Sequence, residues 1–290
     1  MSHGRAGAAP LVVALHGCTQ TASDFAAGTR FDSVAESAGA YVVYPEQGLP
    51  QNPNRCWNWF SHQNQHRSAG EPAAILALVA DLLERYPIDP ERVFVAGLSA
   101  GGAMAAILAE QAPDVFAAVG IMSGVRLHAS RDLLGARAAM LGDAGAANIA
   151  PLLAHDRSTY GGYERMRATV WTGAQDRTVD PSNTAALAEQ FLELFSIPGA
   201  VAERETLADS DVARWRDAAG RVRVETWSIR TMGHAWSGGS FRGSHTYPRG
   251  PRASDAMMRF FLDDSGATQF RRERANVETE CGPRASNLSA

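Results

Sequence analysis

A chain of 290 residues, of which 45% are hydrophobic and 20% charged, is long enough for one large α/β domain with a substantial core. Its formal net charge of −4, without a block of basic residues, argues against nucleic acid or an anionic membrane as the main partner. No apolar run has the length of a membrane span, and three cysteines are too few for a disulfide scaffold. The cysteines and histidines show no metal-ligand spacing. Neither a metal nor an organic cofactor is expected.

The first predicted element is a buried parallel strand over residues 10–15, an unbroken apolar run. His16 and Gly17 follow it directly, at the position where acyl-transfer enzymes of the α/β-hydrolase kind supply one oxyanion donor. We therefore expect the backbone N–H of Cys18, together with that of Ala100, to hold a tetrahedral oxyanion, each donor lowering the barrier by about 3–4 kcal/mol. The alternative is a glycine turn that only ends the strand.

An unusual loop follows a predicted helix over residues 22–37 and a second buried strand over residues 41–45. The loop is rich in turn formers and contains Trp57, Trp59 and Phe60 within four residues. This composition predicts an exposed apolar platform that grips an apolar part of a substrate beside the active site. The alternative is that these aromatic side chains only anchor the loop in the core.

Cys56 lies in the same loop and is the natural partner for Cys18. Both residues follow neighbouring strands at their carboxyl ends, so a disulfide between them would brace the predicted oxyanion loop. Two buried free thiols are the alternative, because the sequence does not give the separation that decides between them. Cys281, in the polar tail, is expected to be unpaired.

The central motif follows an amphipathic helix predicted by the apolar spacing of residues 71–86. A β-branched and aromatic strand leads into Gly97-Leu98-Ser99-Ala100-Gly101, and an Ala-rich helical pattern leaves it. Strand, sharp turn and helix in this order predict a nucleophile elbow with Ser99 at its apex. A Cβ at either glycine would collide with the strand or the helix, and the helix N-terminus favours a developing negative charge. The alternative is a plain strand-to-helix connection.

The middle of the chain is less informative. Residues 117–122 form another short predicted strand, and the Ala/Gly/Arg-rich stretch over residues 125–167 is interpreted as a cap-like insertion over the sheet. We expect one catalytic domain over residues 1–262 and a polar tail over residues 263–290.

A strand over residues 168–173 leads to the candidate acid of a catalytic triad. Asp176 lies just beyond this strand, downstream of the serine, where the chain order Ser, Asp, His requires the acid. It would fix the tautomer of the histidine and stabilise the imidazolium. Asp180 competes for this role, but Asp180-Pro181-Ser182 is typical of a helix start, so Asp176 is preferred.

The candidate general base follows the last predicted strand, residues 222–229. His234 lies on a glycine-rich loop after both Ser99 and Asp176, as the chain order requires. Trp236, two residues further on, is expected to project into the same cleft. A helix over residues 253–262 closes the domain.

As a set, these segments resemble the poly(3-hydroxybutyrate) depolymerase family of esterases, between about residues 10 and 262. The matching segments are Leu15-His16-Gly17-Cys18-Thr19-Gln20, Arg55-Cys56-Trp57-Asn58-Trp59-Phe60, Gly97-Leu98-Ser99-Ala100-Gly101-Gly102-Ala103-Met104, Asp176 with Val179 and Pro181, and Gly233-His234-Ala235-Trp236-Ser237-Gly238-Gly239. The resemblance implies an α/β-hydrolase, with a mostly parallel sheet and helices on both faces. It also implies a secreted serine ester hydrolase acting on short-chain polyhydroxyalkanoates or their oligomers.

The chain departs from that family in two ways. Members that attack solid polymer usually carry a separate substrate-binding domain, and only the polar tail follows the catalytic region here. Members also usually have strands before the oxyanion strand, so we expect the sheet to lack its first strands and to have an edge there. The family resemblance implies an extracellular or periplasmic location, but the N-terminus lacks a signal-peptide core, which leaves the cytoplasm as an alternative.

Three other functions remain open. A feruloyl or acetylxylan esterase would use the same machinery with a cleft that accepts a phenol or a sugar. An acyltransferase would pass the acyl group to an alcohol instead of water. A non-catalytic binding module on the same fold is the alternative from a different class. The sequence does not indicate an oligomeric state.

Overall fold

The structure, a computed structural model, describes residues 7–143 and 149–263. The strands are β1 Ala9–Leu15, β2 Tyr41–Val43, β3 Ile88–Leu98, β4 Ala118–Met122, β5 Arg167–Gly173, β6 Glu203–Thr206, β7 Ser210–Arg216, β8 Val222–Ile229, β9 Trp236–Ser237 and β10 Thr246–Tyr247. The helices are α1 Ala22–Thr29, α2 Phe31–Ser37, α3 Gly70–Arg85, α4 Ala100–Gln111, α5 Leu133–Met140, α6 Ala150–Thr159, α7 Ser182–Leu194 and α8 Ala253–Leu262. Nearly all of the predicted tail, including Cys281, lies outside the described residues.

The main sheet has eight strands in the order β2-β1-β3-β4-β5-β8-β7-β6. The six strands from β2 to β8 in this order are parallel, and the hairpin formed by β6 and β7 adds two antiparallel strands at one edge. Parallel strands place all their carboxyl ends at one edge of a sheet, where ligand sites of open α/β folds form. The predicted α/β-hydrolase architecture is confirmed.

Two apolar layers cover the two faces of the sheet. Successive side chains of a strand point to opposite faces, so Val93 and Val95 of β3 join the cluster that includes side chains of α3, α4 and α7. Phe94 and Ala96 of the same strand join the cluster that includes side chains of α1, α2 and α8. Because both faces are covered, β1, β4 and residues 93–98 of β3 are unbroken apolar runs, which is the pattern that predicted these strands.

The strand predicted as buried over residues 41–45 is an edge strand. β2 pairs only with β1, and Tyr41 is 38% exposed. Its burial was overestimated because an edge strand has a neighbour on one side only. Across residues 7–143 and 149–263, no strand pairs with the outer side of β2.

Two other elements differ from the sequence expectation. The single helix predicted over residues 22–37 is two helices, separated at Arg30, whose left-handed backbone has φ 59°. The hairpin of β6 and β7 was not predicted because both strands are rich in charged residues. Its cross-strand contacts include a diagonal ion pair of Arg214 with Glu205 at 2.7 Å, which an apolar pattern does not reveal.

The segment over residues 125–167 contains α5 and α6. Leu127, Ala139 and Leu153 from this segment are buried in the same cluster as α7, so the segment packs on one face of the sheet. Its interpretation as a cap-like insertion stays a prediction. The described helices are too short or too polar to cross a bilayer.

Candidate active site

Ser99 lies at the sharp turn between β3 and α4 with the backbone angles φ 56° and ψ −119°. A non-glycine residue rarely adopts this conformation, which costs about 1–3 kcal/mol and is typical of functional sites. A Cβ at Gly97 would approach the carbonyl oxygen of Gly101 to 2.3 Å, and a Cβ at Gly101 would approach that of Leu15 to 2.2 Å. The two glycines are therefore required for this turn, for the steric reason that the sequence suggested.

His234 and Asp176 are in direct contact. The imidazole Nδ1 lies 2.7 Å from Oδ2 of Asp176, whose side chain is fully buried. Burial alone raises the pKa of Asp176, but the hydrogen bond and charge of His234 and the N–H groups of Thr178 and Val179 outweigh it, so the pKa lies below its usual value. The carboxylate therefore stays ionised and orients the imidazole, leaving Nε2 free to act as a base.

The loop after β8, which carries His234, spans the carboxyl edge of the sheet from β5 to β1. Near one end, a Cβ at Gly173 of β5 would approach the carbonyl of Met232 to 2.2 Å. Near the other end, Nε2 of His245 lies 3.4 Å from Oγ1 of Thr19, which follows β1. β3 lies between these two strands, so Ser99 is at the edge that the loop spans.

Ser99 and His234 do not form a hydrogen bond with each other in this structure. In the described parts of the chain, neither the Ser99 hydroxyl nor Nε2 of His234 has a side-chain or backbone partner. Catalytic hydrogen bonds of this kind often form only when a substrate is bound. Asp180, the competing acid, accepts a hydrogen bond from the N–H of Ser182 at 2.8 Å, which is the helix-start role predicted for it.

The two predicted oxyanion donors are both available. Ala100 is the first residue of α4, so its N–H has no acceptor within the helix. The N–H of Cys18 makes no hydrogen bond to any described protein group, although the neighbouring Thr19 N–H donates to Asn54 at 2.7 Å. Two free N–H groups flank the serine end of the sheet, as an oxyanion hole requires.

Gln20 fixes the turn that carries Cys18, a role that the sequence analysis missed. Its Oε1 accepts a hydrogen bond from the N–H of Gly17 at 2.9 Å, and its Nε2 donates to Asp24 Oδ2 at 3.0 Å. The amide also donates to Ser244, on the loop that carries His234. A single buried amide thus connects the oxyanion turn with the histidine loop. Position and residue type alone did not suggest this, because a glutamine after a turn is usually exposed.

We expect Gln20→Met to lower kcat for p-nitrophenyl butyrate about 10-fold or more while changing KM little. The side chain keeps its size, but the N–H of Gly17 loses its acceptor and the carboxylate of Asp24 keeps only its hydrogen bonds from Ser244, so the turn that carries Cys18 is no longer held by the amide. Steady-state kinetics with the exposed Gln63→Met as the matched control provide the test. Equal effects on kcat from both variants, or a change in KM alone, would contradict the positioning role.

Cys18 and Cys56 form a disulfide with an S–S distance of 2.06 Å, the pairing that the sequence left open. The loop on the Cys56 side is held by Glu71, which accepts hydrogen bonds from Asn58 at 2.8 and 2.7 Å and from Gln47 at 2.6 Å. Burial raises the pKa of Glu71 despite these three bonds. The disulfide therefore attaches the oxyanion turn to a loop that has its own buried anchor.

The exposed aromatic platform predicted after β2 does not form. Trp57 is 4% and Trp59 is 6% exposed, and both belong to the core cluster. Nε1 of Trp57 donates to the carbonyl of His16 at 3.1 Å, so this side chain supports the oxyanion turn from inside. Aromatic residues in a turn-rich loop fit burial as well as exposure, because the loop folds back on the sheet.

The placement of Trp236 in the cleft is wrong. This side chain is fully buried on the face covered by α1, α2 and α8, and its ring makes edge contacts with Phe25 and Phe31 at centroid distances of 5.4 and 5.6 Å. Its Nε1 donates to Ser254 at 3.1 Å. His234, two residues earlier, contacts Asp176, while the buried side chain of Trp236 holds the loop against the core.

Comparisons with known proteins identify the family to which this chain belongs. The family model described as "Esterase PHB depolymerase" matches residues 4–212. The chain is 35% identical over 230 residues to poly(3-hydroxyalkanoate) depolymerase C of Paucimonas lemoignei, covering 78% of this chain and 55% of that protein. It is 31% identical over 204 residues to feruloyl esterase B of Neurospora crassa, covering 64% of this chain and 65% of that protein. The chain thus spans between about half and two thirds of these relatives' lengths.

Among solved structures, an acetyl xylan esterase from Aspergillus awamori has a TM-score of 0.71 at 22% identity, covering 89% of this chain and 90% of that one. This similarity supports the fold. The family match covers well over half of the sequence, and the matched residues include Cys18, Ser99, Ala100 and Asp176. The chain belongs to the esterase family of the polyhydroxybutyrate depolymerases.

Proposed function

We propose that this chain is a serine carboxylic-ester hydrolase in which Ser99, His234 and Asp176 act as nucleophile, general base and orienting acid. The contact between His234 and Asp176, on the strand edge that carries the strained Ser99 turn, is the observation that supports this proposal most strongly. A buried ionised carboxylate against an imidazole is the arrangement that prepares a histidine to deprotonate an alcohol. Membership of the esterase family agrees with it.

The proposed reaction has two steps. His234 accepts the proton of Ser99 as the hydroxyl oxygen attacks the ester carbonyl, and the N–H groups of Cys18 and Ala100 hold the oxyanion. The imidazolium then protonates the leaving alcohol, which leaves an acyl group on Ser99. Water, deprotonated by His234, attacks this acyl-enzyme and releases the acid. The side chains present are sufficient for each proton transfer.

We propose short-chain polyhydroxyalkanoates, as oligomers or polymer, as the substrate class. The depolymerase of Paucimonas lemoignei, at 35% identity, is the similarity that favours it. A feruloyl or acetylxylan ester is the second candidate, because feruloyl esterase B is 31% identical over a similar stretch. The disulfide between Cys18 and Cys56 favours an oxidising compartment outside the cytoplasm as the place of action.

A substrate panel on the purified protein separates the two classes. We expect kcat/KM for 3-hydroxybutyrate oligomers to exceed that for ethyl ferulate at least about 10-fold, because a cleft that binds one acyl group discriminates by about 1–3 kcal/mol. p-Nitrophenyl acetate serves as the reference ester that both classes cleave. Faster hydrolysis of ethyl ferulate than of the oligomers would assign the chain to the second class, and loss of all ester cleavage would refute the hydrolase.

A further inference from the structure

Three side chains with metal-binding chemistry meet on the flank of α4, outside the triad. Glu110 lies near the end of this helix, His128 in the loop after β4, and Asp156 on α6. Their nearest donor atoms all lie within 4.8 Å of one another. Nε2 of His128 is 2.7 Å from Oε1 of Glu110 and 4.0 Å from Oδ2 of Asp156. The three residues are far apart in sequence, which explains why spacing along the chain gave no metal-site signal.

The charges in this cluster would not balance if both carboxyls were ionised. Glu110 is 1% and Asp156 is 8% exposed, and one imidazolium compensates only one of the two negative charges. In the described part of the chain, neither carboxylate forms an ion pair with an arginine. The hydroxyl of Tyr163 donates to the main-chain oxygen of Glu110 and not to its carboxylate. A buried net negative charge is unfavourable unless a proton or a cation neutralises it.

We propose that Glu110, His128 and Asp156 bind one divalent transition-metal cation of the Zn²⁺ class. Donor atoms around such an ion, at bond lengths near 2.1 Å, lie about 3.0–3.4 Å apart, and the observed separations of 2.7 and 4.0 Å bracket this range. One imidazole nitrogen with two carboxylate oxygens suits Zn²⁺ better than Ca²⁺, which takes six to eight oxygen ligands.

The surroundings leave room for a further ligand from solvent. The side chain of His128 is 18% exposed and that of Asp156 is 12% exposed, so one side of the cluster is open. The ion would connect α4, the helix that begins at the nucleophile, with α6 of the segment over residues 125–167. Binding of the ion would therefore hold that segment against α4 and stabilise the fold. The proposed ester hydrolysis itself needs no metal.

The test uses chelator-stripped protein with His62→Gln and His66→Gln as the background. These two exposed histidines have ring centroids 4.8 Å apart and offer a competing surface site. Titration calorimetry with Zn²⁺ alone is expected to give one ion per chain, and saturation is expected to raise Tm by about 5 °C. Co²⁺ in its place is expected to give visible absorption from an imidazole and carboxylate site.

In that background, Asp156→Asn keeps the shape of the side chain and is expected to weaken Zn²⁺ binding about 100-fold or more. His155→Gln, which removes an exposed histidine next to Asp156, is the matched control and should bind as tightly as the background. Absence of binding, or binding that Asp156→Asn leaves unchanged, would overturn the proposal. The Tm of each metal-free variant shows whether the variant is folded. The Co²⁺ spectrum of the unsubstituted protein gives a second readout that does not depend on any substitution.

Discussion

Ser99→Ala is expected to lower kcat for p-nitrophenyl butyrate by about 10⁶-fold, because the acyl-enzyme on Ser99 can no longer form. Ser99 is 9% exposed, and the substitution removes one hydroxyl without creating a large cavity, so Tm should change by no more than a few degrees. Steady-state hydrolysis and thermal unfolding of the purified variant measure both quantities.

Ser123→Ala is the matched control for this experiment. Ser123 also directly follows a parallel strand, β4, and also has a positive φ, 48°. Its hydroxyl is buried with no partner among the described groups, so removing it should leave kcat within a few-fold of the parent. Comparable activity of Ser99→Ala and the parent would refute Ser99 as the nucleophile.

Asp176→Asn is expected to lower kcat by about 10⁴-fold with the fold intact, because the amide stabilises the wrong tautomer of His234 and no longer favours its protonation. The effect arises at Oδ2 of Asp176, which in the parent protein is buried and accepts a hydrogen bond from Nδ1 of His234 at 2.7 Å. The same ester assay measures it, and kcat and KM are determined separately.

Asp180→Asn provides the control at the competing acid. Its carboxylate accepts from the N–H of Ser182 and does not contact His234, so we expect activity within a few-fold of the parent and at most a small loss of stability. A large loss of kcat in Asp180→Asn together with near-normal activity in Asp176→Asn would exchange the two roles.

The sequence identified the scaffold of the site because local chemistry determines it. Strand, glycine-flanked serine and helix predict one tight turn at Ser99. The approach of a Cβ at Gly97 to the carbonyl oxygen of Gly101 at 2.3 Å, and of a Cβ at Gly101 to that of Leu15 at 2.2 Å, confirms this steric argument. The buried parallel strands were predicted from apolar runs for the same reason, since both of their faces are covered. Asp180 was distinguished from Asp176 by the proline that follows it.

The parts that the sequence did not reveal depend on contacts between distant segments. Trp236 lies two residues from His234, and nothing local shows that the two side chains point to opposite sides of the loop. Gln20 acts through Ser244, on a loop more than two hundred positions away. The cluster around Glu110 likewise assembles from three elements that only the fold brings together.

The central claim is that Ser99 is a nucleophile activated by His234. A fluorophosphonate ester, which forms a tetrahedral adduct with such a serine, tests it directly by intact mass and peptide mapping. We predict one adduct per chain, located on Ser99, absent in Ser99→Ala and formed much more slowly in Asp176→Asn. No adduct on the folded parent protein, or an adduct on another residue, would contradict the account.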